Sequence, residues 1–385
     1  MKLIHTADWH LGKLVHGLHM TEDQEHLLKQ FIDLVREEQP DAIIVAGDLY
    51  DRSVPPKEAV ELLNQVFTEI IFDLQIPILA ITGNHDSPDR LNFGSKMFRR
   101  QGLYLQTHLH RAFHPVQLTD EHGPVNFYLI PYVEPGDVRA YFERDDLTTH
   151  QQSMEAIIDE IKKNMNDEER HVFIGHAFLA GGMESESEER LTMLGGTPYI
   201  DASLFEPFDY VAFGHLHQPQ KVWHENIRYS GSLMKYSFSE ARQKKSITIL
   251  ELQSNGEVEY RLHPLQPLRD MRIVEGYLQD LLQIEEESTD RNDYIHVQLL
   301  DEGQLVDPMG KLRKVYPNVL SLERVGLLGR QTAQQWSKVE ERKKMTPIDL
   351  FQSFYKEVKG KDLDDHRKVH VSHIIQRLTE SEREK

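Results

Sequence analysis

The sequence predicts a layered α/β protein, with sheets covered by helices, that continues into a small α+β capping domain and a helical C-terminal tail. Over the first 250 residues, short apolar runs such as Ala42–Ala46 alternate with segments of helical periodicity. The pattern changes around Pro264–Pro267, and strand signals end near residue 330. Because 385 residues also exceed what one core usually supports, we expect domains at 1–265 and 266–330 and a tail at 331–385.

The elements of the first domain follow from the spacing of apolar residues. Apolar runs predict these strands: Lys2–Ala7, Ala42–Ala46, Pro77–Thr82, Val125–Ile130, His171–Gly175, Asp209–Phe213, Ile227–Tyr229 and Ser246–Leu252. Apolar residues at helical spacing predict helices at Thr21–Gln39, Pro56–Leu74 and Asn92–Gly102. Thr21 is placed as the N-cap of the first helix, and Gly102 ends the third.

Beyond residue 265, strands and helices are predicted to alternate again. The segments are a strand at Asp270–Val274, a helix at Tyr277–Ile284, a strand at Tyr294–Leu300, a helix at Gly310–Tyr316 and a strand at Val319–Arg324. In the tail, apolar residues recur at helical spacing in two groups: Phe351, Phe354, Tyr355 and Val358, then Val371, Ile374, Ile375 and Leu378. Two such amphipathic helices must cover their apolar stripes, either on the small domain or on a partner.

Composition limits the class of function. Acidic residues outnumber basic ones by 63 to 44, and the net charge of −19 argues against a protein that coats nucleic acid with a broadly basic surface. The absence of cysteine excludes disulfides and thiolate metal sites. We see neither a signal peptide nor a run of about 18 apolar residues, so we expect a cytoplasmic protein. The acidic stretch Glu184–Arg190 is expected to be solvated.

Polar residues that can bind metals follow five of the predicted strands. In chain order they are Asp8 and His10; Asp48 and Asp51; Asn84, His85 and Asp86; His176; and His215 and His217. One such ending would mean little, because these residue types are common in turns and caps. Five endings are different, since the carboxyl ends of strands in open α/β sheets border one crevice. We therefore expect these side chains to converge.

The residue types indicate what the crevice holds. Carboxylate, amide and imidazole donors without sulfur suit Mn, Fe, Zn or Mg in an open coordination shell. The candidates are too many for one ion, and they suit two ions about 3.5–4 Å apart that hold a phosphate and activate water. Glycine comes just before the ligand at four places, where it would let the chain turn and a substrate approach: Gly47, Gly83, Gly175 and Gly214.

These motifs carry a family resemblance. The signature of calcineurin-like metallophosphoesterases resembles five blocks of this chain: Asp8-x-His10, Gly47-Asp48-x-x-Asp51, Gly83-Asn84-His85-Asp86, Gly175-His176 and Gly214-His215-x-His217. Within that superfamily the chain is most similar to the Mre-type nucleases of bacterial SbcCD complexes, most strongly over residues 1–250. The resemblance implies a nucleoid-associated DNA exonuclease and single-strand or hairpin endonuclease in DNA end processing, replication, repair and recombination.

The resemblance also implies roles for single residues. It assigns one metal ion to Asp8, His10, Asp48 and His217, and a second to Asp48, Asn84, His176 and His215. Asp48 would bridge the two ions, expected to be Mn²⁺, since one carboxylate has two oxygens. His85 would be the catalytic residue, acting as an acid or charge stabiliser at the scissile phosphate. Asp51 and Asp86 would instead hydrogen-bond a ligand histidine or the turn.

Contacts to DNA are expected from basic side chains near the motifs, each of which could instead be a solvated surface charge. They are Lys13, His16, Arg52, Arg90, Lys96, Arg99 and Arg100. The polar stretch "RYSGSLMKYSFSE", Arg228–Glu240, is a further candidate.

Two protein partners follow from the resemblance, and no membrane partner does. A homodimer would form through the predicted helices Pro56–Leu74 and Asn92–Gly102. The apolar side chains offered there are Ile70, Ile71, Phe72 and Phe98, unless the monomer buries them. An SbcC-type ATPase would complete a heterotetramer with two copies of each chain, and the tail would dock on its coiled-coil base.

Two other functions fit the five motifs alone. A phosphoesterase for nucleotides or cyclic nucleotides would use the same ligands, although it would not need the added α+β domain and tail. A non-catalytic scaffold would keep the fold, but such relatives typically lose ligands, and none is missing here. Manganese-dependent digestion of linear duplex DNA, run beside a chromogenic phosphodiester, separates these functions.

Overall fold

The computed structural model describes residues 1–188, 198–283 and 289–325, together with positions 351, 352, 355, 363, 367, 368 and 371. The chain divides into two compact units. The first comprises Met1–Ile273, Glu286–His296 and Tyr316–Leu320, and the second comprises Val274–Glu285, Val297–Val315 and Ser321–Lys385. Of the apolar residues in the two predicted tail helices, the structure describes Phe351, Tyr355 and Val371, and the others lie outside the described residues.

Strands and helices alternate through the described residues. The strands are β1 Lys2–Thr6, β2 Leu14–Val15, β3 Leu18–His19, β4 Ala42–Ala46, β5 Ile78–Ile81, β6 Leu103–Gln106, β7 Val116–Asp120, β8 Gly123–Leu129, β9 Arg170–His176, β10 Tyr210–Gly214, β11 Gln220–Val222, β12 His224–Tyr229, β13 Ser246–Leu252, β14 Val258–Pro264, β15 Met271–Gly276, β16 Tyr294–Leu299 and β17 Val319–Arg324. The helices are α1 Thr21–Glu38, α2 Lys57–Thr68, α3 Pro88–Leu91, α4 Ser95–Phe98, α5 Pro135–Phe142, α6 His150–Lys162, α7 Leu278–Leu281 and α8 Pro308–Val315.

The first sheet is built around the N-terminal strand. Its order is β14-β13-β1-β4-β5-β6. Strands β1, β4, β5 and β6 are parallel, β13 pairs antiparallel with β1, and β14 pairs antiparallel with β13. The register pairs Ile4 with Ile43 and Ile43 with Ile78. Every residue of β4 is buried, as expected for an apolar strand covered on both faces.

The second sheet has the order β11-β12-β10-β9-β8-β7, with β8, β9, β10 and β12 parallel. Its inner face packs against the first sheet through a core that includes Ile44, Leu79, Phe127 and Ile174. Separate apolar clusters lie under α1 and α2 on one side and under α5 and α6 on the other. Two stacked sheets with helices outside them confirm the predicted layered α/β class.

Three helix predictions in the first domain were wrong in detail. Helix α1 begins at Thr21, so Met20 occupies the cap position and makes no side-chain cap hydrogen bond. The predicted helix Asn92–Gly102 is reduced to α4 and the 3₁₀ turn Arg99–Gln101, and the φ of 76° at Gly94 excludes a continuous helix that would include Asn92 and Phe93. Helix α2 stops at Thr68 and continues as a π-helical turn, Glu69–Asp73.

Helices α5 and α6 were not predicted, although the sequence carries signals for both. Each begins with a capping box, formed by Glu134 with Asp137 and by Thr149 with Gln152. The apolar residues of α6 also recur at helical spacing and are buried.

The predicted strand–helix alternation after residue 270 is present. Elements β15, α7, β16, α8 and β17 follow one another, and the strands form a sheet in the order β15-β16-β17. Helix α7 is shorter than the predicted Tyr277–Ile284, and Ile284 lies outside the described residues. Among the described residues, no helix is both long and apolar enough to cross a membrane.

Candidate metal centre

The strand endings singled out by the sequence meet in the first unit. The residues involved follow β1, β4, β5 and β10, or end β9: Asp8, His10, Asp48, Asn84, His176, His215 and His217. Backbone N–H groups tie the endings together, both between the two sheets and within the first sheet. The His215 N–H donates to Asp8 Oδ1 at 2.9 Å, and the His10 N–H donates to the Asp48 carbonyl at 2.9 Å.

Four of these residues have backbone conformations that non-glycine residues rarely adopt. Asp8, His10 and Asp48 have φ values of 53°, 45° and 51°, and His215 has a φ of 103°. A left-handed conformation of this kind costs about 1–3 kcal/mol and persists only where the surroundings determine it. The backbone strain is therefore concentrated at the candidate ligands themselves.

Two glycines let the ligand-bearing segments approach one another. A Cβ atom on Gly47 would lie 2.4 Å from His176 Nδ1, and a Cβ atom on Gly83 would lie 2.1 Å from Asp48 Oδ1. Both distances are far inside van der Waals contact, so no side chain fits at either position. The space that these glycines leave is occupied by the protein's own candidate ligands, whereas the sequence suggested a substrate there.

The first cluster of donors joins the segment after β1 to the segment after β10. His10 Nε2 and His217 Nε2 are 3.1 Å apart, and one Asp48 oxygen lies 3.5 Å from His10 Nε2. Asp8 is buried with them, and its Oδ2 has no hydrogen-bond partner among the described residues. Two imidazole nitrogens that face each other need a shared proton or a nearby cation, so this cluster has the form of a cation site.

The second cluster lies at the ends of β5, β9 and β10. His176 Nδ1 donates to the carbonyl of Ala46 at 2.8 Å, so Nε2 is the nitrogen that faces the other donors. That Nε2 lies 3.1 Å from Asn84 Oδ1 and 3.3 Å from Asp48 Oδ2. Asn84 Oδ1 is in turn 2.9 Å from His215 Nδ1. Since Asp48 Oδ2 also approaches His10, one carboxylate belongs to both clusters.

Burial and mutual charge move the pKa values of these groups in different directions. Burial raises the pKa of Asp48, but the charges of His176 and His10 outweigh it and hold that pKa well below its ordinary value. Burial lowers the pKa of His176, yet Asp48 raises it to about 9. Burial raises the pKa of Asp8 to about 7 and lowers those of His10 and His215. The buried Asp48 carboxylate beside the neutral imidazoles of His10 and His215 favours an added positive charge.

The donors fit divalent cations. The atoms available are carboxylate oxygens, an amide oxygen and imidazole nitrogens. Such a mixed set of oxygen and nitrogen donors suits divalent ions such as Mn, Fe, Zn or Mg. Two groups of donors that share the Asp48 carboxylate match the division expected for two bridged ions.

His85 lies beside both clusters. Its N–H donates to Asp48 Oδ1 at 3.0 Å, and its Nδ1 is 2.9 Å from the carbonyl of Asp51. The ring packs edge-on against His10, with centroids 4.7 Å apart. These contacts place a half-buried imidazole at the centre and assign its Nδ1 a donor role.

Asp51 and Asp86 have different surroundings. Asp51 Oδ1 lies 2.7 Å from Lys13 Nζ and 3.7 Å from His10 Nδ1. Asp86 is buried, and its two oxygens accept hydrogen bonds from the backbone N–H groups of Leu49, Tyr50 and Gly83. Asp86 therefore connects the turn after β4 to the turn after β5.

The candidate DNA contacts fall into two classes. Lys13 is paired with Asp51 and lies over the ring of Tyr236, at 5.4 Å from its centroid. Arg99 lies over the ring of Tyr104, at 5.1 Å. Arg99 is nevertheless exposed, as are the remaining candidates: His16, Arg52, Arg90, Lys96 and Arg100.

The stretch Arg228–Glu240 is mostly buried, so the suggestion that it contacts DNA was wrong for most of its length. Tyr236 is an example. Its OH donates to the carbonyl of Trp9 at 2.5 Å, and its ring packs against those of His10 and His217. Through Tyr236, the stretch packs against two candidate ligands, His10 and His217.

Several supporting residues escaped prediction. Gln24, a fully buried residue of α1, donates to the carbonyl of His10 at 2.8 Å and accepts from the N–H of Gly12 at 3.1 Å. Glu188, in the acidic stretch expected to be solvated, is buried and accepts from the His217 N–H at 2.7 Å, so that expectation was wrong for Glu188. Glu189 and Arg190 lie outside the described residues.

Two family models match the chain. Residues 1–219 match the calcineurin-like phosphoesterases, and residues 267–359 match the type 5 capsule protein repressor C-terminal domain. The SbcD component of the SbcCD nuclease of Staphylococcus epidermidis is 36% identical over 382 residues, which cover 99% of this chain and 100% of that protein. The chain belongs to the SbcD family of calcineurin-like phosphoesterases.

A second SbcD relative agrees with the first. The SbcD component of the SbcCD nuclease of Staphylococcus saprophyticus is 36% identical over 380 residues, covering 99% of each chain. The resemblance drawn from the motifs is thereby confirmed, and so is the coarse prediction of a phosphoesterase of the nuclease type. A solved dimetal phosphatase from Danio rerio has 12% identity and a TM-score of 0.42, and the alignment covers 69% of this chain and 96% of that one.

Proposed function

We propose that this SbcD-family chain is a metal-dependent DNA nuclease that hydrolyses phosphodiesters with two divalent cations. The observation that carries the proposal is the pair of buried donor clusters joined by Asp48. Support for a nucleic-acid substrate comes from the two staphylococcal relatives, which are components of SbcCD nucleases. We extend the proposal to double-strand exonuclease and single-strand or hairpin endonuclease activity in DNA repair and recombination.

The proposed ligands follow the two clusters. One cation would be held by Asp8, His10, Asp48 and His217, and the other by Asp48, Asn84, His176 and His215. When bound, such cations supply positive charge to phosphate oxygens and lower the pKa of water. Mn²⁺ is the proposed ion, since mixed oxygen and imidazole donors suit it.

His85 is the proposed catalytic residue. Its ring is fixed by the Asp51 carbonyl and its backbone by Asp48 Oδ1, so the imidazole has a defined position next to both clusters. A positioned imidazole can protonate or stabilise the leaving oxygen of a phosphodiester. Asp51 and Asp86 would hold the surrounding turns.

A homodimer is proposed through the apolar face that α2, the turn after it and α4 present. Phe72 and Phe98 remain 58% and 42% exposed, while Ile70 belongs to the core and Ile71 packs partly against it. Phe93, at 82% exposure, enlarges the same face, and it lines a cleft of about 340 Å³ together with Phe72 and Phe98. An apolar patch of this kind is typical of an interaction surface.

The second proposed partner is an ATPase of the SbcC type. The support is the nature of the two staphylococcal relatives, each of which is one component of an SbcCD nuclease. We propose a heterotetramer with two copies of each chain, located in the cytoplasm with the nucleoid, and docking through the C-terminal tail.

The test is manganese-dependent digestion of linear duplex and hairpin DNA, with a chromogenic phosphodiester assayed in parallel. The expected result is cleavage of DNA that requires added Mn²⁺ and is abolished by a chelator. Turnover of the chromogenic ester without any cleavage of DNA would contradict the nuclease proposal and favour a small-molecule phosphoesterase. A matched preparation of Asp48→Asn controls for contaminating nuclease.

A further inference from the structure

Other residues contact His217 at three of its groups: the backbone N–H, the backbone carbonyl and the imidazole ring. Its backbone N–H donates to Glu188 Oε1 at 2.7 Å, and its carbonyl accepts from Lys245 Nζ at 2.7 Å. Its ring Nδ1 lies 2.7 Å from Ser187 Oγ and 3.4 Å from Glu240 Oε1. Side chains from two segments therefore contact this one imidazole: Ser187 of the acidic segment Met183–Glu188, and Glu240 of the segment after β12.

Behind His217 lies an ion pair that has almost no access to solvent. Glu240 has no exposed surface and Lys245 is 7% exposed, with Lys245 Nζ 2.5 Å from Glu240 Oε2. A buried ion pair loses much of its hydration energy, so it is weak evidence for a stabilising role. Because Glu240 and Lys245 both contact His217, the pair can instead hold that residue in position.

The direction of the hydrogen bonds follows from the chemistry of the partners. Glu240 Oε2 lies 2.5 Å from Lys245 Nζ in this buried ion pair, so Glu240 is a carboxylate. A carboxylate only accepts, so the Ser187 hydroxyl donates to Glu240 Oε1. The oxygen lone pair of Ser187 then faces His217 Nδ1, which must carry the proton. The lone pair on Nε2 therefore points to His10 and the first donor cluster.

We propose that Ser187, Glu240 and Lys245 form a positioning relay that sets the tautomer and orientation of His217 toward the first cation. This inference rests on the proposed metal centre, and it adds residues that none of the five motifs contains. It also gives the segment Met183–Glu188 a function in the centre. An outer hydrogen bond that fixes the tautomer of a metal-binding histidine typically changes metal affinity by about 10–100-fold.

The test begins without metal. In metal-free protein, ¹⁵N NMR of the histidine rings should show His217 protonated at Nδ1, and Ser187→Ala should shift it to a mixture of tautomers. Ser187→Thr, which keeps a hydroxyl, should restore the parental spectrum. Ser153→Ala is the matched control, because Ser153 is a buried serine of α6 whose hydroxyl has no partner among the described residues.

Titration with Mn²⁺ provides the second measurement. Glu240→Gln combined with Lys245→Met removes the relay without leaving a buried lysine unpaired, and it should weaken the first cation about 10–100-fold while the second keeps its affinity. Ser187→Ala should act in the same direction if the double variant does not fold. Parental His217 protonated at Nε2, or two ions bound with parental affinity by folded variants, would overturn the relay. Absence of any metal binding by the parent would instead contradict the proposed function, while the tautomer measurement would still decide the relay.

Discussion

At the scale of the residue, Asp48 determines how the donor clusters are related. Its Oδ2 approaches His10 Nε2 at 3.5 Å and His176 Nε2 at 3.3 Å, while its Oδ1 accepts the N–H of His85. Among the described residues, Asp48 is the only carboxylate common to the group with Asp8 and His10 and the group with His176 and His215. One side chain thus connects the two proposed cation positions and the proposed catalytic residue.

Asp48→Ala should abolish DNA cleavage more completely than His217→Ala, because it removes an oxygen donor from both positions rather than one nitrogen from one. Metal content and cleavage should be measured on the same samples. Asp48→Asn is the companion variant, since asparagine tolerates the left-handed φ of 51° and isolates the loss of charge. Two bound metals with a near-normal rate in Asp48→Ala would refute the bridging role.

His85→Ala and His85→Leu should keep metal and DNA affinity but lower turnover by a factor of about 100 or more, the usual effect of removing a positioned proton donor. His85 contacts Asp48 through its backbone N–H, and that bond survives both substitutions. Metal titration, DNA binding and single-turnover cleavage separate the effects. Loss of metal, with the rate restored by excess Mn²⁺, would make His85 a ligand instead.

His5 is a buried residue outside the centre whose charge affects stability. Its Nδ1 lies 2.9 Å from the OH of Tyr210, and burial, followed by the charge of Arg228, lowers its pKa to about 3. Unfolded histidine has a pKa of about 6.5, so the unfolded state binds more protons between these values. The free energy of unfolding should therefore fall as pH drops from about 6.5 towards 3.

His5→Gln should flatten that part of the pH dependence, because glutamine takes up no proton on unfolding. Urea unfolding at a series of pH values measures it. His122→Gln, at an exposed histidine, is the control and should leave the slope as it is. An equally steep slope in His5→Gln would show that other groups cause the acid sensitivity.

At the scale of the element, the order of strands explains why the centre forms where it does. Strands β1, β4 and β5 are parallel neighbours in one sheet, and β9 and β10 are parallel neighbours in the other. Their carboxyl ends can therefore meet, and the His215 N–H bond to Asp8 joins the two sheets at that point. The helical region outside the sheets presents an exposed apolar face, formed by Phe72, Phe93 and Phe98.

Phe72→Ser combined with Phe98→Ser should weaken the proposed homodimer by a factor of about ten or more, because exposed aromatic side chains often dominate such interfaces. Light scattering at micromolar concentrations is the measurement. Trp223→Ser removes another exposed aromatic, 49% accessible, outside this face and should leave the mass unchanged. A monomeric parent protein at these concentrations would rule the homodimer out.

At the scale of the whole molecule, the tail beyond residue 345 is expected to serve a partner rather than the centre. The proposed ligands and His85 all lie within residues 8–217. Deleting residues 346–385 should therefore leave metal-dependent cleavage intact and abolish co-purification with the SbcC-type ATPase. Unchanged affinity of the truncated chain for the ATPase would assign the contact to the first 345 residues.

The sequence by itself determined the layered α/β class, the strand endings and the family, because each depends on local information. Apolar runs such as Ala42–Ala46 identify a strand without knowledge of its neighbours, and a motif such as Gly214-His215-x-His217 is contiguous. Helix breaks were harder, since the φ of 76° at Gly94 is one of several that glycine adopts.

Only the tertiary structure decided which side chains support the centre and which apolar residues stay exposed. Glu240 reaches His217, Gln24 reaches His10, and neither pairing has a signal in the spacing of the residues. Ile70 and Phe72 stand two positions apart in the same turn, yet one is in the core and the other in solvent. Such outcomes depend on segments distant in the chain, which meet only when the sheets stack and bury their shared core.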